Sequence, residues 1–415
     1  MGANEGAVRH AEKLKRVMDA VQLKRPDRVP VAFHTMLWYA KYGGTTIREV
    51  MYDYDKAAEL GRRAILEFDP DMFAPPHQFT TLGRVLEAAR FKQLQWPGHG
   101  VGDNQPYQYL DREYMKAEEY DEYLFDPSGF YLQKYMPRVL GVAEGLEALP
   151  ALPGFFYMRL VMGMRSFAHP KVVAALEAMR AAGEEANRLV AAQAQFTSEM
   201  EGRGYVLAQG AVSIAPFDLI GDYFRGARGI LTDMYRRKDK LLAALEKAIP
   251  FIVRQTIATC KASSSPFVFI PIHWAADNFM SLAQFKTFWW PSFRKVLLGL
   301  IEAQLIPVPL WEADCSSRLE TIADIPRGKA VYWFERTDLV KAKQVLGGIA
   351  CVRGNVPPSL LNMGTPEQVD AYCRDLIEKV GRDGGFILDG AFGIPDEAPL
   401  ENARAMFQAV RKYSA

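Results

Sequence analysis

Three short segments in the last third of the chain decide the fold. They read PVPLWEADC (residues 307–315), IACVRGNVP (residues 349–357) and FILDGAFGIP (residues 386–395). Each begins with a short apolar run and ends in polar residues, glycine or proline, and helix-like patterns lie between them. A repeated order of strand, polar loop and helix is typical of a parallel α/β fold. In closed barrels of this kind the catalytic residues follow the carboxyl ends of the strands.

The same pattern continues upstream and predicts eight strands in all. Their residues are 29–33, 71–73, 205–212, 267–272, 308–311, 330–334, 349–352 and 386–388. We therefore predict a (β/α)8 TIM barrel with an N-terminal helical extension, and a doubly wound open sheet is the alternative. About 130 residues separate the second and third strands, which is more than an ordinary connection needs. Residues 95–170 are therefore predicted to form a cap inserted into a single domain of residues 1–415.

Composition and charge favour a soluble globular enzyme. Of the 415 residues, 49% are apolar and 24% are charged, and the net charge is +1 with both signs scattered. This gives no electrostatic basis for binding nucleic acid or an anionic membrane. The most apolar stretch, residues 151–163, is too short and too interrupted to cross a bilayer. Four cysteines without close pairing and no apolar leader predict a cytoplasmic location.

Longer segments resemble the uroporphyrinogen decarboxylase superfamily. The resemblance rests mainly on IACVRGNVPPSLLNM (residues 349–363), GTPEQVDAYCRDLIEKVGRDGG (residues 364–385) and FILDGAFGIPDEAPLENARAM (residues 386–406). FRGARG (residues 224–229) resembles a helix-opening motif of its corrinoid-associated branch, and RPDRVPV (residues 25–31) resembles its first strand. The superfamily contains decarboxylases and zinc-dependent methyltransferases that exchange methyl groups with corrinoid proteins. The resemblance implies a TIM barrel.

The chain departs from both site patterns that the resemblance implies. Decarboxylases of the family carry arginines after the first strand and Gly-His-Gly after the last, where this chain has FHTMLWY (residues 33–39) and Ala391-Phe392-Gly393. The methyltransferases hold zinc with His-x-Cys and a later Cys, where this chain has Glu312-Ala313-Asp314 and Phe392. An anionic tetrapyrrole needs several guanidinium partners, so uroporphyrinogen is disfavoured as the substrate.

The candidate site residues follow the ends of predicted strands. Glu312 and Asp314 are the candidate catalytic acids. His273, Glu312 and Cys351 are the candidate zinc ligands, since imidazole, carboxylate and thiolate all bind zinc, and Asp314 or Cys315 is an alternative ligand. Each has a structural alternative, for instance Asp314 as a turn cap and Cys351 as a small core residue. The candidate substrate contacts are His34, Trp38, Tyr39, Trp274 and Asp389.

These features predict a corrinoid-dependent methyltransferase. It would move a methyl group between a small apolar or aromatic methylated molecule and cobalamin carried by a partner protein, with zinc or a general acid stabilising the leaving group. The expected partners are the small molecule, the corrinoid protein and, in a homodimer, a second copy of the chain. The alternatives are a carboxy-lyase of the same family that acts on another substrate, and a barrel kept as a corrinoid-binding scaffold.

Overall fold

The barrel strands run parallel and appear in chain order, as the sequence predicts. The computed structural model describes residues 3–150 and 155–413 of the chain. The strands are β1 (Ala32–Phe33), β2 (Met72–Phe73), β3 (Val206–Leu207), β4 (Ala211–Val212), β5 (Phe267–Ile272), β6 (Ile306–Trp311), β7 (Val331–Phe334), β8 (Cys351–Val356) and β9 (Phe386–Gly390). β3 and β4 are the two halves of the third barrel strand, which was predicted as one strand over residues 205–212.

The third strand breaks because the backbone bends at Gly210. Gly210 N donates a hydrogen bond to Phe267 O at 2.8 Å, and a Cβ on Gly210 would lie 2.1 Å from Ser265 O. Only glycine allows this approach. One half therefore pairs with β2 and the other with β5, which joins a three-stranded sheet to a six-stranded sheet.

The last strand pairs with the first and closes the barrel. Val31 and Leu388 form a parallel bridge, and Leu388 N donates to Pro30 O at 2.9 Å. The predicted TIM barrel is thus confirmed, and the doubly wound open sheet was the wrong alternative. The α-helices of eight or more residues are Ala3–Val21, Tyr54–Phe68, Pro170–Gly202, Gly226–Arg236, Lys238–Lys261, Trp290–Glu302, Leu339–Leu346, Pro366–Leu376 and Leu400–Tyr413.

The N-terminal helix closes one end of the barrel. Its residues Val17, Ala20 and Val21 are buried against the inward side chains at the start of the strands, in a cluster that also contains Met72, Phe267, Val308, Val331 and Cys351. Arg16 and Arg28 both donate to the buried carboxylate of Asp71, at 2.6–2.8 Å, and fix the helix to the first turn of the barrel. The opposite end, where the strands finish, is the mouth.

The predicted cap region is built of short elements. It contains a small sheet of Leu94–Pro97, Gly100–Val101 and Gln108–Tyr109 and several short helices, of which the last two are Tyr157–Met162 and the 3₁₀ helix Gly163–Ala168. Tyr109 reaches the mouth, where its hydroxyl donates to the backbone oxygen of Asp222. Residues 151–154, the start of the apolar run noted in the sequence, lie outside the described residues. The single-domain organisation with 95–170 as its cap stays a prediction.

Two helices begin with capping boxes. Thr46 and Glu49 form a capping box at the start of Ile47–Tyr52, and Thr365 caps Pro366–Leu376, with Gln368 completing that box. Among residues 3–150 and 155–413, no helix is both long and apolar enough to cross a membrane.

Candidate active site at the barrel mouth

The site is formed by polar residues that directly follow inward-facing strand positions. Along β6 the side chains of Val308 and Leu310 face the barrel interior, so Glu312, two residues further on, also faces inward at the mouth. By the same alternation His273 follows Phe269 and Pro271 of β5. The two side chains meet, with His273 Nε2 at 3.6 Å from Glu312 Oε1. The sequence predicted both residues for the site, and the structure brings them together.

A second carboxylate orients the imidazole from behind. Asp222 Oδ2 lies 2.6 Å from His273 Nδ1, and its other oxygen accepts a hydrogen bond from Trp274 Nε1 at 2.5 Å. Asp222 thus holds the proton on Nδ1 and directs Nε2 towards Glu312. Trp274, predicted as a substrate contact, is a buried residue that positions Asp222 and packs edge-on against Phe279 with ring centroids 4.0 Å apart.

A third carboxylate, Asp218, is buried beneath this pair. It accepts hydrogen bonds from His273 N at 2.8 Å and from Trp289 Nε1 at 2.8 Å. Asp218 ends the short helix Pro216–Asp218, and the π-helical segment Leu219–Arg225 that follows it carries Asp222. Such π-helical segments are frequent at functional sites. The sequence reasoning missed both aspartates, although their spacing of four residues after the third strand is a signal for one helix face.

Burial and mutual charge shift the pKa values of the site in a direction suited to proton transfer. Burial lowers the pKa of His273, but the hydrogen bond to Asp222 and the charges of Glu312 and Asp218 outweigh it and raise that pKa to about 9. Burial raises the pKa of Glu312 to about 7, against the opposing charge of His273. Burial and the charge of Asp222 raise the pKa of Asp218 to about 7. His273 is therefore an imidazolium at neutral pH.

Glu335 is a further mouth carboxylate that the sequence reasoning missed. It directly follows β7, as Glu312 follows β6, and the same rule that selected Glu312 could have found it. Its Oε2 accepts a hydrogen bond from Ala313 N at 2.6 Å, and its charge contributes to the raised pKa of Glu312. Ala313 has a φ of 57°. The hydrogen bond from Ala313 N to Glu335 stabilises this left-handed turn, which sets the position of Glu312.

Cys351, a predicted zinc ligand, lies far from the mouth. It pairs with Val331 at the beginning of β8 and is buried in the cluster that contacts the N-terminal helix. The strand pairings place Cys351 level with Val308, four residues before Glu312, which is about 13 Å along a strand. Burial also raises the pKa of its thiol to about 12. The structure therefore supports the reading of Cys351 as a core residue.

Trp38 and Tyr39, predicted substrate contacts, pack outside the barrel. Both are buried in the core between the barrel and its helices. The Trp38 ring stacks on Tyr42 with centroids 4.9 Å apart, and its Nε1 donates to Ala398 O at 2.8 Å. Tyr39 packs against Phe33. The prediction misplaced them because the chain leaves the mouth after Met36 and begins a helix at Trp38.

Asp314 and Cys315 belong to the turn after Glu312. Asp314 is exposed, and its Oδ1 accepts hydrogen bonds from Ser316 N at 2.9 Å and Ser316 Oγ at 2.6 Å. Cys315 is buried, and its N donates to Thr337 Oγ1 at 2.9 Å. Asp314 thus has the geometry of a turn cap. Cys315 Sγ also donates to the backbone oxygen of Glu312 at 3.6 Å, but among the described residues no hydrogen bond joins Asp314 or Cys315 to the side chains of His273 and Glu312.

His34 and Asp389 lie inside the barrel, below the mouth. The His34 ring packs edge-on against Trp333, with centroids 5.2 Å apart, and burial and the charge of Arg353 lower its pKa to about 3. Asp389 accepts two hydrogen bonds from Arg353, at 2.6 and 2.9 Å. Arg353, which was not predicted, also lies over the Trp333 ring. His34 is therefore neutral, and Asp389 neutralises the guanidinium.

The predicted three-ligand zinc site does not assemble. Catalytic zinc sites use three protein ligands, and of His273, Glu312 and Cys351 only the first two approach each other. Another group, of Asp218, Asp222 and His273, has ligand atoms within 4.8 Å of one another, and it is the only such group among the described residues. Both aspartates already accept two hydrogen bonds each, from His273 and two tryptophans. The donor set fits an acid–base site better than a zinc site.

Removal of metal is therefore expected to leave this site working. We expect dialysis against EDTA to change the rate of the catalysed reaction by less than about twofold. Elemental analysis before and after dialysis, in parallel with rate measurements, checks this. A tenfold or larger loss that added zinc restores would contradict it and would assign Asp218, Asp222 and His273 as ligands.

Comparison with known proteins identifies the family. Residues 166–413 match the family profile of uroporphyrinogen decarboxylase (URO-D). Uroporphyrinogen decarboxylase of Psychromonas ingrahamii is 30% identical over 139 residues, which are 32% of this chain and 38% of that protein. The enzyme of Pseudomonas fluorescens is 27% identical over 197 residues, 46% of this chain and 53% of that protein. The matches thus span from about two fifths to half of these relatives.

A solved structure agrees with the fold. A methyltransferase from Methanosarcina mazei superposes with a TM-score of 0.62 at 17% identity and covers 96% of this chain and 98% of that chain. At this identity the likeness supports the barrel alone. The family match covers more than half of the chain and includes β3 to β9, from which His273, Glu312 and Glu335 extend. The chain therefore belongs to the uroporphyrinogen decarboxylase (URO-D) family.

Proposed function

We propose that this chain is a methyltransferase that moves a methyl group from a small methylated molecule to the corrinoid of a partner protein. One observation carries the proposal. His273, an imidazolium at neutral pH, lies at the barrel mouth between Asp222 at 2.6 Å and Glu312 at 3.6 Å. An imidazolium held between two carboxylates can donate a proton. A demethylation needs a proton donor at the atom that loses the methyl group.

The proposed step balances in charge and atoms. The bond between the methyl carbon and the substrate oxygen breaks and the electron pair stays on oxygen. The methyl group forms a new bond to the cobalt of the reduced corrinoid, which supplies both electrons of that bond. Nε2–H of His273 donates its proton to that oxygen, which leaves as a hydroxyl group. Asp222 keeps the second proton on Nδ1, and His273 takes a new proton from solvent. Glu312 stabilises the imidazolium before transfer.

The carboxy-lyase remains the second candidate because of the family to which the chain belongs. Decarboxylation of an anionic substrate needs cationic groups to bind the carboxylates. Arg353 is the guanidinium inside the barrel, and Asp389 already takes its charge through two hydrogen bonds. Glu312, Glu335 and Asp222 would repel a carboxylate at the mouth. These contacts favour methyl transfer over decarboxylation.

An exposed apolar segment, residues 155–168, is the proposed docking surface for the corrinoid protein. Nine of its large apolar side chains are each 49% to 82% exposed. Contiguous exposure of this kind marks an interaction surface. The segment contains Arg159 and Arg165 and no acidic residue, so the proposed partner surface is apolar with acidic groups.

The long helix after this segment places it on the mouth side. Hydrogen bonds from Arg62 to Glu199 and from Tyr54 to Glu185 align the helix Pro170–Gly202 in parallel with Tyr54–Phe68. Tyr54–Phe68 leads into β2, so its first residue is at the mouth end. Residues 170–184 therefore project beyond that level by about 22 Å, and the apolar segment precedes them.

A charged residue in this segment should weaken binding of the corrinoid protein and leave the reaction with free cobalamin unchanged. We expect Val161→Asp to raise the KM for the corrinoid protein at least tenfold, about 1.4 kcal/mol, and to leave the rate with free cobalamin unchanged. Val190→Asp, at an equally exposed valine on the adjoining helix, is the matched control. Equal KM values for both variants would contradict this docking surface.

Spectroscopy of the corrinoid tests the function. The protein is mixed with Co(I) cobalamin or its cognate corrinoid protein and a series of methyl ethers, and the expected result is conversion of the Co(I) spectrum to that of the methylated corrinoid. Release of CO2 from carboxylated substrates is measured in parallel. CO2 release without methylation of the cognate corrinoid protein would replace this proposal with the carboxy-lyase.

A further inference from the structure

A cavity of about 360 Å³ opens beside His273. Its walls include Val212 from β4, Ile214 after it, Pro271 from β5 and the rings of Tyr135 and Tyr223. Tyr135 belongs to the cap region, so the cap and the barrel both contribute. Pockets that enclose small organic ligands usually measure about 300–1,000 Å³. The volume suits one substituted six-membered ring.

The residues that line the cavity disfavour a charged ligand. Among the twelve residues that line the cavity, none is Asp, Glu, Lys or Arg, and His273 is the cationic group. Ser213 Oγ and Thr256 Oγ1 lie 2.8 Å apart and satisfy each other, so they do not call for a polar ligand. An ammonium ion would meet the imidazolium of His273, whereas a neutral ring would meet the apolar and aromatic part of the wall, with the uncharged polar residues Gln255 and Thr259 beside it.

The exposure of Val212 indicates that a ligand covers this part of the cavity. It is 43% exposed although it lies in a barrel strand, paired with the buried Phe269 of β5. The side chain of a valine in a strand is normally buried against neighbouring side chains. A planar guest in the cavity would cover Val212 and lie between it and the tyrosine rings, with one edge at His273.

We propose that this cavity binds the ring of a neutral aromatic methyl ether, with the ether oxygen at Nε2 of His273. The methyl-transfer step rests on the proposed function, whereas the binding of the ring does not. In that step the methyl–oxygen bond breaks, the electron pair stays on the phenolic oxygen, and His273 protonates it. The methyl group goes to the corrinoid, and the phenol leaves the cavity.

Calorimetry with 2-methoxyphenol tests the proposal without any corrinoid. We expect the wild-type protein to bind this probe and Val212→Trp, which fills the cavity, to bind it at least tenfold more weakly. Val190→Trp, at an exposed valine outside the cavity, is the matched control and should bind within twofold of wild type. Tetramethylammonium should not displace the probe. Thermal unfolding confirms that each variant is folded, and Ile214→Trp provides a second filled cavity.

The outcomes separate this proposal from the proposed function. No binding of 2-methoxyphenol to the wild-type protein, equal binding by the filled variants, or displacement by tetramethylammonium would overturn the aromatic-ether site. Methylation of the corrinoid from another methyl donor, unaffected by Val212→Trp, would overturn the site and keep the methyltransferase. Ring binding that the filled variants lose, without methyl transfer, would keep the site and overturn the methyltransferase.

Discussion

Replacement of His273 with Gln will lower the rate of the proposed methyl transfer by roughly 10²–10⁴-fold, the usual contribution of a general acid. Glutamine can donate a hydrogen bond but cannot supply a proton. The fold should persist, because the His273 side chain is 41% exposed and its backbone N–H bond to Asp218 does not depend on the side chain. Single-turnover conversion of the Co(I) spectrum measures the rate.

The dependence of the wild-type rate on pH provides the independent check. His273 has a pKa raised to about 9, so the acid is present below that value and is lost as pH rises through it. We expect a rate that falls above about pH 9, with no such fall in His273→Gln. A variant rate within a few-fold of wild type would remove His273 from the mechanism.

Replacement of Glu312 with Gln will lower turnover by roughly a hundredfold. The amide keeps the shape of the side chain and removes the charge that stabilises the imidazolium at 3.6 Å. Because the charge of Glu312 contributes to the raised pKa of His273, its loss lowers that pKa, and the alkaline fall of the rate should move to lower pH. The full pH–rate profile of the variant measures both effects.

Glu320→Gln is the matched control for this variant. Glu320 is exposed and lies in the helix Leu319–Ile322, after the turn that follows Glu312. Its replacement with Gln should leave both the rate and the pH–rate profile unchanged. A Glu312→Gln variant with a lower rate and an unshifted alkaline limb would show that Glu312 acts on the substrate and not through His273. Activity within a few-fold of wild type would show that Glu312 is the wrong carboxylate.

Local signals were sufficient for the elements of the barrel. The predicted strand at residues 267–272 coincides with β5, and Thr365, a residue type favoured at helix starts, is the observed N-cap of Pro366–Leu376. Runs of apolar residues and capping side chains act over a few neighbouring residues, so the sequence contains them directly. The same reasoning located His273 and Glu312, because a polar residue that follows a buried strand lies at a strand end whatever the neighbouring strands are.

The depth of a residue in the barrel needs the tertiary structure. The strand predicted to end at Val352 continues to Val356 as β8, so Cys351 begins the strand instead of ending it. The polar residues Arg353 and Asn355 hid this continuation. Both side chains are buried. Arg353 donates hydrogen bonds to Asp389, and Asn355 donates one to Thr337 O. Partners distant in sequence satisfy these groups, which no local pattern shows.

The amino-acid sequence alone determined the family, the parallel barrel and the two residues that meet at its mouth. The fold then brought Asp222 and Asp218 to the imidazole from a different loop and moved Trp38 and Tyr39 to the outer core. The physical reason is the distance along the chain between the residues that interact. Periodic burial and capping depend on neighbours along the chain, whereas the charge and orientation of His273 depend on Asp222, 51 residues away, which the pairing of β4 with β5 brings into contact.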